Sequence, residues 1–527
     1  MLGVAVLLCL CAAVPLPSQC PDGTPPPCRG AVVARLAPPP LSIAVLPFES
    51  RSPDTADAYL AEGMTEEVGN RLTRVSRLQV KARGLVGAQW RRTPEPFAAA
   101  RALSVAWFVH GNVRHVSGQL LVNVELVRAT TGEEAWASRF PRRDADVFAV
   151  QAEIAESVAV VVGGRLTPGE HATIARRPTL NNDAYRLYLY GNSLIARRTE
   201  REAAQAIDAY ERAVGLDPSF AAAWARISIV RGLQAAWSWE PQIGFDSLIV
   251  LALAGARRAV ALDSMSADAW AALGYAQSLV GDLGAAHDGF ERSIRLDSLS
   301  PEAFHLYAAA VYGADCPGTC LDDDRMAIPL LRRVLALDPT FRNSWRHLGV
   351  VELDAGRLAE AEVHLDTALS FGPWPPASAE RAYVRYLRGN AAGAMEDFQA
   401  GESSFESVPD LPVLVRLLAG DSAPARARVA AVRADTATGT ARLVSEAMLA
   451  AALGLRDEAL GALERLRTTP DPRSAARCTA TALCSSSLFT WRKLHDPIFT
   501  PLRGDPRFQR LWEETRPHVP WVDGQSR

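Results

Sequence analysis

The chain has 527 residues, of which 48% are hydrophobic and 22% charged, and its formal net charge is −3. This length is too great for one compact core and predicts two or three domains or a repeat array. The composition excludes disorder over most of the chain and a protein with many membrane spans. The nearly neutral balance excludes a global field that would attract nucleic acid, so no nucleic-acid partner is predicted.

The amino terminus carries a short apolar run. Leu2 to Leu16 is almost entirely hydrophobic, but it is shorter than the roughly 20 residues that a membrane-spanning helix needs. With the small residues Ala12 and Ala13 near its end, the run is typical of a signal peptide over residues 1–19. No basic residue precedes it, so a truncated membrane anchor and a buried helix stay open as alternatives. We expect export to the periplasm or cell envelope, with a membrane tether if the run is an anchor.

The cysteines support export. Six of the eight lie beyond residue 19 and form three close pairs, Cys20 with Cys28, Cys316 with Cys320 and Cys478 with Cys484. In an exported chain, close even pairing predicts three local disulfides. The alternatives are metal binding by the second pair with the aspartates at 322–324, which would mix soft and hard ligands, and lipidation of Cys20.

After a Pro-rich linker over residues 20–40, the pattern changes to alternating strands and helices. The predicted segments of this domain, residues 41–165, are a strand at 42–48, a helix from 57, a strand at 78–82, a helix at 96–103, a hairpin of strands at 105–116 and 119–128, a strand reaching 140 and a helix at 144–162. The buried face of the first helix is marked by Leu60, Met64, Val68 and Leu72, which recur every four residues. The order predicts an α/β domain with a mixed sheet.

Parts of this segment resemble the TolB amino-terminal-like domain. The matching stretches are Ser42 to Phe48, Tyr59 to Glu67, His110 to Arg114, and Thr131 to Glu133 with Trp136. In that family, the module commonly accompanies cyclases, serine/threonine kinases or winged-helix regulators, with tetratricopeptide (TPR) repeats after it. The resemblance implies no catalytic residues. Among its polar positions, Gly63 is expected to permit close packing, and Glu62, Glu66 and Arg114 are expected on a solvated face, with a ligand or partner site as the alternative.

The second region is repetitive. Leu-Asp pairs begin at residues 216, 262, 296 and 337, and an aromatic marker follows at Trp224, Trp270, Phe304 and Trp345. Both series advance by 46, 34 and 41 residues, which indicates a 34-residue period with two insertions. This is the TPR period, and units such as Trp270 to Phe290 resemble the TPR pattern. We predict a superhelical all-α solenoid of TPR type over residues 181–375, followed by degenerate helical repeats and a C-terminal cap over 376–520.

The residues indicate no known catalytic chemistry. The sequence lacks a P-loop, a kinase catalytic loop, a Gly-x-Ser-x-Gly elbow and a His-Glu-x-x-His zinc motif. We therefore expect no enzyme activity and no cofactor or metal.

The leading hypothesis is an exported interaction scaffold whose TPR groove binds a protein or peptide with an acidic group, while the TolB-like module docks to an envelope or signalling partner. Counting from the aromatic marker predicts a groove lined by Tyr188, Arg198, Tyr275, His305, Tyr312, Asn343 and Arg346. The alternative for Arg346 is a simple ion pair with Glu302 or Asp354. The alternative for the whole chain is the sensory or scaffold half of a signalling protein whose catalytic domain lies upstream.

Overall fold

The computed structural model describes residues 38–515 except 54–57, 118, 144–146, 196–198, 238, 240–241, 313–326, 402–409, 435–439, 470–493 and 495. The apolar amino-terminal run and all six paired cysteines lie outside the described residues, so export and the disulfides stay predictions. Within the described residues, no helix combines the length and hydropathy that crossing a membrane requires.

The first domain contains a mixed sheet, as predicted. Its strands are β1 (Ser42–Val45), β2 (Glu49–Ser50), β3 (Gln79–Val80), β4 (Trp107–Val116), β5 (Gln119–Arg128) and β6 (Glu134–Arg143). The order across the sheet is β3-β1-β4-β5-β6, with β2 paired to β4. β1 runs parallel to both β3 and β4, whereas β4, β5 and β6 form an antiparallel meander.

Helices cover both faces of this sheet. They are α1 (Ala58–Thr73), α2 (Arg83–Arg92), α3 (Pro96–Ala102), α4 (Val147–Gly163) and α5 (Pro168–Ala175). Ile43 and Val45 pack into the core shared with α1 and α4, while Ala44 and Leu46 pack with α2 and α3. Because both faces of β1 are buried, the residues after Ser42 form an apolar run from Ile43 to Leu46. The sequence did not predict α2, whose ten residues include only two buried side chains.

The second region is a stack of helix pairs. The helices are α6 (Asn182–Ile195), α7 (Glu200–Leu216), α8 (Ala221–Trp237), α9 (Phe245–Leu262), α10 (Ala267–Leu279), α11 (Leu283–Leu296), α12 (Pro301–Tyr312), α13 (Ala327–Leu337), α14 (Arg342–Asp354), α15 (Leu358–Leu369), α16 (Pro375–Leu387), α17 (Ala391–Gly401), α18 (Leu411–Leu418), α19 (Ala423–Ala434), α20 (Thr440–Ala452) and α21 (Arg456–Thr468). Each even-numbered helix packs on the next helix in the chain. The predicted helical-repeat array is therefore present.

The Leu-Asp marker ends the second helix of a pair. Asp217, Asp263 and Asp297 are C-cap residues in extended backbone conformation. In each case the Oδ1 atom accepts the backbone N–H two residues further on, at 2.9, 3.1 and 2.9 Å. Asp338 makes the same contact with Thr340 at 2.9 Å. The aspartate recurs because its short carboxylate closes the turn into the next pair.

The tryptophan markers occupy equivalent positions. The indole N–H groups of Trp224, Trp270 and Trp345 each donate to the carbonyl oxygen six residues earlier, at 3.1, 2.9 and 2.8 Å. This confirms the register. All three tryptophans are largely, though not completely, buried. Their rings cover the turn between two pairs, so one edge stays at the surface.

Glycines allow the helices of a pair to approach closely. A Cβ atom on Gly274 would lie 3.0 Å from the carbonyl oxygen of Ala286, and one on Gly349 would lie 2.7 Å from Cγ of Leu365. The small residue of the repeat pattern is thus a steric requirement.

The carboxyl-terminal segment covers the end of the array. A 3-10 helix, Pro497–Leu502, packs on α20, and the last described helix, α22 (Pro506–Thr515), packs on α21. Phe499 and Phe508 are buried in the core of the last helix pairs. The Tyr383 hydroxyl on α16 donates to Oδ1 of Asp496 at 2.6 Å, which fixes the start of this cap.

Candidate functional site between the α/β domain and the helical array

A cavity of about 420 Å³ separates the α/β domain from the helical array. One wall comes from α1 and α2, and the opposite wall from the first helices of successive pairs, α6, α8, α12 and α14. The face on which the groove was predicted therefore faces the chain's own amino-terminal domain. On sequence alone, that arrangement was not predicted.

Two glycines permit the contact between the domains. A Cβ atom on Gly63 in α1 would lie 2.7 Å from Cδ1 of Leu189 in α6, so the expectation of close packing at Gly63 is confirmed. A Cβ atom on Gly84 in α2 would lie 2.0 Å from Cγ of Asp338, just before α14. The first turn of α2 has no side-chain cap. The Asp338 carboxylate at that end is favourable because the amino-terminal end of a helix carries partial positive charge.

Eight charged side chains of the described residues line the cavity, four arginines and four carboxylates, and four of them form two ion pairs. Nη1 of Arg83 lies 2.8 Å from Oε2 of Glu66, and this carboxylate raises the pKa of Arg83. Nη1 of Arg226 lies 3.3 Å from Oε2 of Glu302. The wall from α1 is thus tied electrostatically to α2, and α8 is tied to α12.

Arg342 is a lining arginine without such an ion pair. It is the first residue of α14, and its half-buried guanidinium lies 4.7 Å from the centre of the Trp374 ring. Burial lowers the pKa of Arg342. Among the described residues, no carboxylate pairs with it within 4.0 Å. The contact that the described residues offer its charge is the ring face of Trp374.

The predicted groove residues do not form one open surface. Tyr188 is half-buried, with its ring 5.0 Å from that of Phe220. Tyr275 is fully buried, and a Cβ atom on Gly232 would lie 2.7 Å from its ring. Arg198 and the side chain of Tyr312 lie outside the described residues. The large aromatic residues of this set fill the spaces between helices.

His305 and Asn343 lie together, but inside the array. His305 is fully buried and Asn343 is 4% exposed. Nδ1 of His305 lies 2.8 Å from Oγ of Ser344, and its Nε2 lies 3.0 Å from Nδ2 of Asn343. Of the two, only Asn343 reaches the cavity.

Arg346 has a structural role, because its side chain forms an ion pair within the array. It pairs with Glu380, one 34-residue period later, and not with Glu302 or Asp354 as the alternative supposed. Its guanidinium lies 5.1 Å from the Trp237 ring and 5.7 Å from the Trp374 ring, and its side chain is 12% exposed. Reversing this charge is therefore expected to destabilise the array, since the glutamate would face Glu380 in a mostly buried site.

Sequence reasoning missed Arg342 and the role of α1. Glu62 and Glu66 belong to the polar stretch that carries the TolB-like resemblance, and both line the cavity. Arg342 precedes Asn343 directly, so the predicted groove was one residue away from it. Among the described residues, no group of three or more His, Cys, Asp or Glu side chains is arranged to hold a metal ion.

Comparison with known proteins gives partial likenesses. No protein-family model matches the chain. The curated protein "Putative adenylate cyclase 3" of Rhizobium meliloti (strain 1021) is 33% identical over 189 residues, which are 36% of this chain and 32% of that protein. The chain thus matches about a third of the length of this relative.

Solved structures that resemble parts of the chain include TPR proteins. PilF of Pseudomonas aeruginosa is similar over 46% of this chain and 92% of its own, at 16% identity and a TM-score of 0.28. A thermophilic TPR protein of Thermus thermophilus is similar over 36% of this chain and 97% of its own, at 16% identity and a TM-score of 0.28. TM-scores this low add nothing to the fold assignment, which rests on the helix pairs and turns of the chain itself.

Proposed function

We propose that this chain is a non-enzymatic interaction scaffold of the cell envelope. The observation that carries the proposal is the row of first helices in the array, whose inner face meets a second domain across a cavity. Arrays of paired helices expose extended faces of this kind and use them to bind peptides and proteins. The TolB-like character of the α/β domain and the TPR type of the repeats are part of this proposal.

In this proposal, the α/β domain regulates access to the face of the array. It shares a continuous apolar core with α6, α7 and α8 on one side. On the other side, it touches the array through the close contact between Gly84 and Asp338. The first contact is extensive and the second is small, so the domain is expected to separate from the array at α2 first.

A substitution at Gly84 tests this proposal. Gly84→Val cannot be accommodated beside Asp338, so α2 should leave the array and expose the inner face. Gly69→Val is the matched control, because a Cβ atom on Gly69 in α1 meets nothing within 4 Å. Small-angle scattering and hydrogen exchange of α2 and α14 report the separation, and affinity capture from envelope extract with each full-length variant reports binding.

Specific proteins recovered in larger amounts with Gly84→Val than with Gly69→Val would support the inner face as the binding surface. Equal recovery despite measured separation would assign binding to the outer surface of the α/β domain. Failure of both variants and the unaltered chain to retain any protein beyond an unrelated bait would contradict the scaffold proposal.

A second candidate is a part of a signalling protein of cyclase or kinase type. The relative from Rhizobium meliloti, named as an adenylate cyclase, favours this candidate, and most of that protein lies outside the match. The test is to inspect the DNA upstream for an in-frame cyclase or kinase domain and to assay the encoded full-length protein for cyclic AMP formation. An upstream stop codon in every frame would exclude this candidate.

A further inference from the structure

We propose that the cavity between the α/β domain and the array binds a small organic anion, with Arg342 as its main ligand-binding residue. The ligand class is a carboxylate or phosphate group on an apolar body of metabolite size. This proposal concerns the cavity alone and does not depend on whether the array binds a protein partner.

The pairing of charges in the cavity leaves Arg342 available to an anion. Glu66 is neutralised by Arg83, and Glu302 by Arg226. Asp338 accepts hydrogen bonds from the N–H and hydroxyl groups of Thr340 and faces the positive end of α2. Two arginines and two carboxylates of the lining remain without an ion pair among the described residues, namely Arg91, Arg342, Glu62 and Asp338. The described lining is neutral overall, and Arg342 is a cation in it whose charge no carboxylate within 4.0 Å offsets.

Arg342 lies at the start of a helix. α14 has 13 residues, and its cap residue Phe341 offers no side-chain hydrogen bond to the first turn. The backbone N–H groups of Arg342 and Asn343 make no hydrogen bond to a described residue, and both residues line the cavity. A guanidinium and free N–H groups at a helix amino terminus together form a favourable environment for an anion.

The Asn343 side chain is a second, independent indication. It is 4% exposed, it lines the cavity, and its Oδ1 atom has no hydrogen-bond partner among the described residues. The hydrogen bond between Asn343 and Nε2 of His305 can form in two ways. In one tautomer of the neutral ring, Nε2 accepts from the amide NH₂ group of Asn343. In the other tautomer, Nε2 donates to the amide oxygen. In the second arrangement, the amide NH₂ group is left to donate to a ligand.

The remaining surface of the cavity suits an apolar body. Leu189, Ile229 and Val230 line it and are buried, and Tyr59 and Phe341 add aromatic surface. A volume of about 420 Å³ lies in the usual range for small-molecule sites. Because the walls come from both domains, a bound anion would contact α1 and α14 together and hold the α/β domain against the array.

Calorimetric titration of the full chain with three probes tests the proposal. Phenyl phosphate and benzoate carry the two anionic groups on the same ring, and benzamide is the neutral control. We expect one of the anions to bind at one site per chain with a Kd of roughly 1 mM or tighter, and benzamide not to bind. Preference between the two anions identifies the anionic group.

Arg342→Gln should weaken binding of the preferred anion by roughly tenfold to a hundredfold, the usual loss for a charge-assisted hydrogen bond. Arg333→Gln is the matched control, because Arg333 also lies over an aromatic ring, that of Phe304 at 5.8 Å, but does not line the cavity. If Arg342→Gln does not fold by circular dichroism, Arg342→Lys keeps the charge and should bind with intermediate affinity. Absence of saturable binding by both anions, or equal binding by Arg342→Gln and the unaltered chain, would overturn the proposal.

Discussion

Replacing Arg71 by methionine should destabilise the α/β domain by about 3–5 kcal/mol, the usual cost of removing one partner of a buried ion pair. The Arg71 side chain is 0% exposed, and its Nη2 lies 3.0 Å from Oε1 of Glu67. Arg71 also donates to the carbonyl oxygens of Ile174 and Arg176, so it ties α1 to the end of α5. Methionine retains the apolar stem, and the loss therefore reports mainly the charge and the hydrogen bonds.

The pH dependence of this loss follows from Glu67. Burial raises the pKa of Glu67, against the opposing effect of Arg71 and Arg74. A carboxyl whose pKa is raised by folding contributes stability below its ordinary pKa and loses it as the pH rises through the raised value. Removing Arg71 raises this pKa further, so the Arg71→Met variant should lose more stability at pH 7 than at pH 5.

Urea denaturation followed by hydrogen exchange in α1 measures the effect on this domain. Adding Glu67→Gln to Arg71→Met should recover part of the loss, because no buried carboxylate is then left unpaired. The control is Arg212→Met, whose ion pair with Asp208 is exposed and should contribute under ~1 kcal/mol. A loss no greater than that of the control, or no relief by Glu67→Gln, would refute the role given to this pair.

Three further outcomes are expected. Gly191→Ala should cost about 1–3 kcal/mol in urea denaturation, because its Cβ atom would lie 2.5 Å from Cε1 of Tyr210, whereas Gly69→Ala, with nothing within 4 Å, should gain about 0.5–1 kcal/mol. Trp270→Phe should cost about 0.5–1.5 kcal/mol through the lost hydrogen bond to Ser264, and a cost of zero would mean that this bond contributes nothing. Mass spectrometry of non-reduced peptides should find the three local disulfides, each contributing at most about 2–3 kcal/mol; free thiols or bridges between different pairs would contradict this.

The helical array was predictable because two independent sequence markers recur with its period. The Leu-Asp pair closes a turn and the tryptophan covers it, so each marker is tied to local geometry that recurs in every unit.

The α/β domain was predicted in outline, with specific omissions. α2 was missed because its sequence, Arg83–Arg92, has only two buried residues and no apolar periodicity. Arg71 is fully buried although it is charged, and its partners Ile174 and Arg176 are about a hundred residues away. Hydropathy places an arginine at the surface, and only the folded arrangement of α5 reveals the exception.

The candidate site was only partly predictable, since it depends on how two domains meet. Counting along α14 identified Asn343, which reaches the cavity, and Arg346, which does not. Arg342 and Arg346 are one helical turn apart and both contact the ring of Trp374. Glu380 of the next pair distinguishes the two arginines. It forms an ion pair with Arg346, whereas Arg342 has no carboxylate partner among the described residues.

The repeat itself explains why the positive charge collects at α14. The position two residues before the aromatic marker is Asp268 in α10, Glu302 in α12 and Asn343 in α14. Arg226 extends from α8 toward both carboxylates, with Nη2 4.0 Å from Asp268 and Nη1 3.3 Å from Glu302. The third unit carries an amide at this position, which has no negative charge to offset an arginine. The equivalent positions of α10 and α12 therefore carry the carboxylates Asp268 and Glu302, and Arg226 offsets their charge. Arg342 at the start of α14 has no such carboxylate partner among the described residues, and it lies beside the N–H groups that the first turn of this helix leaves without acceptors.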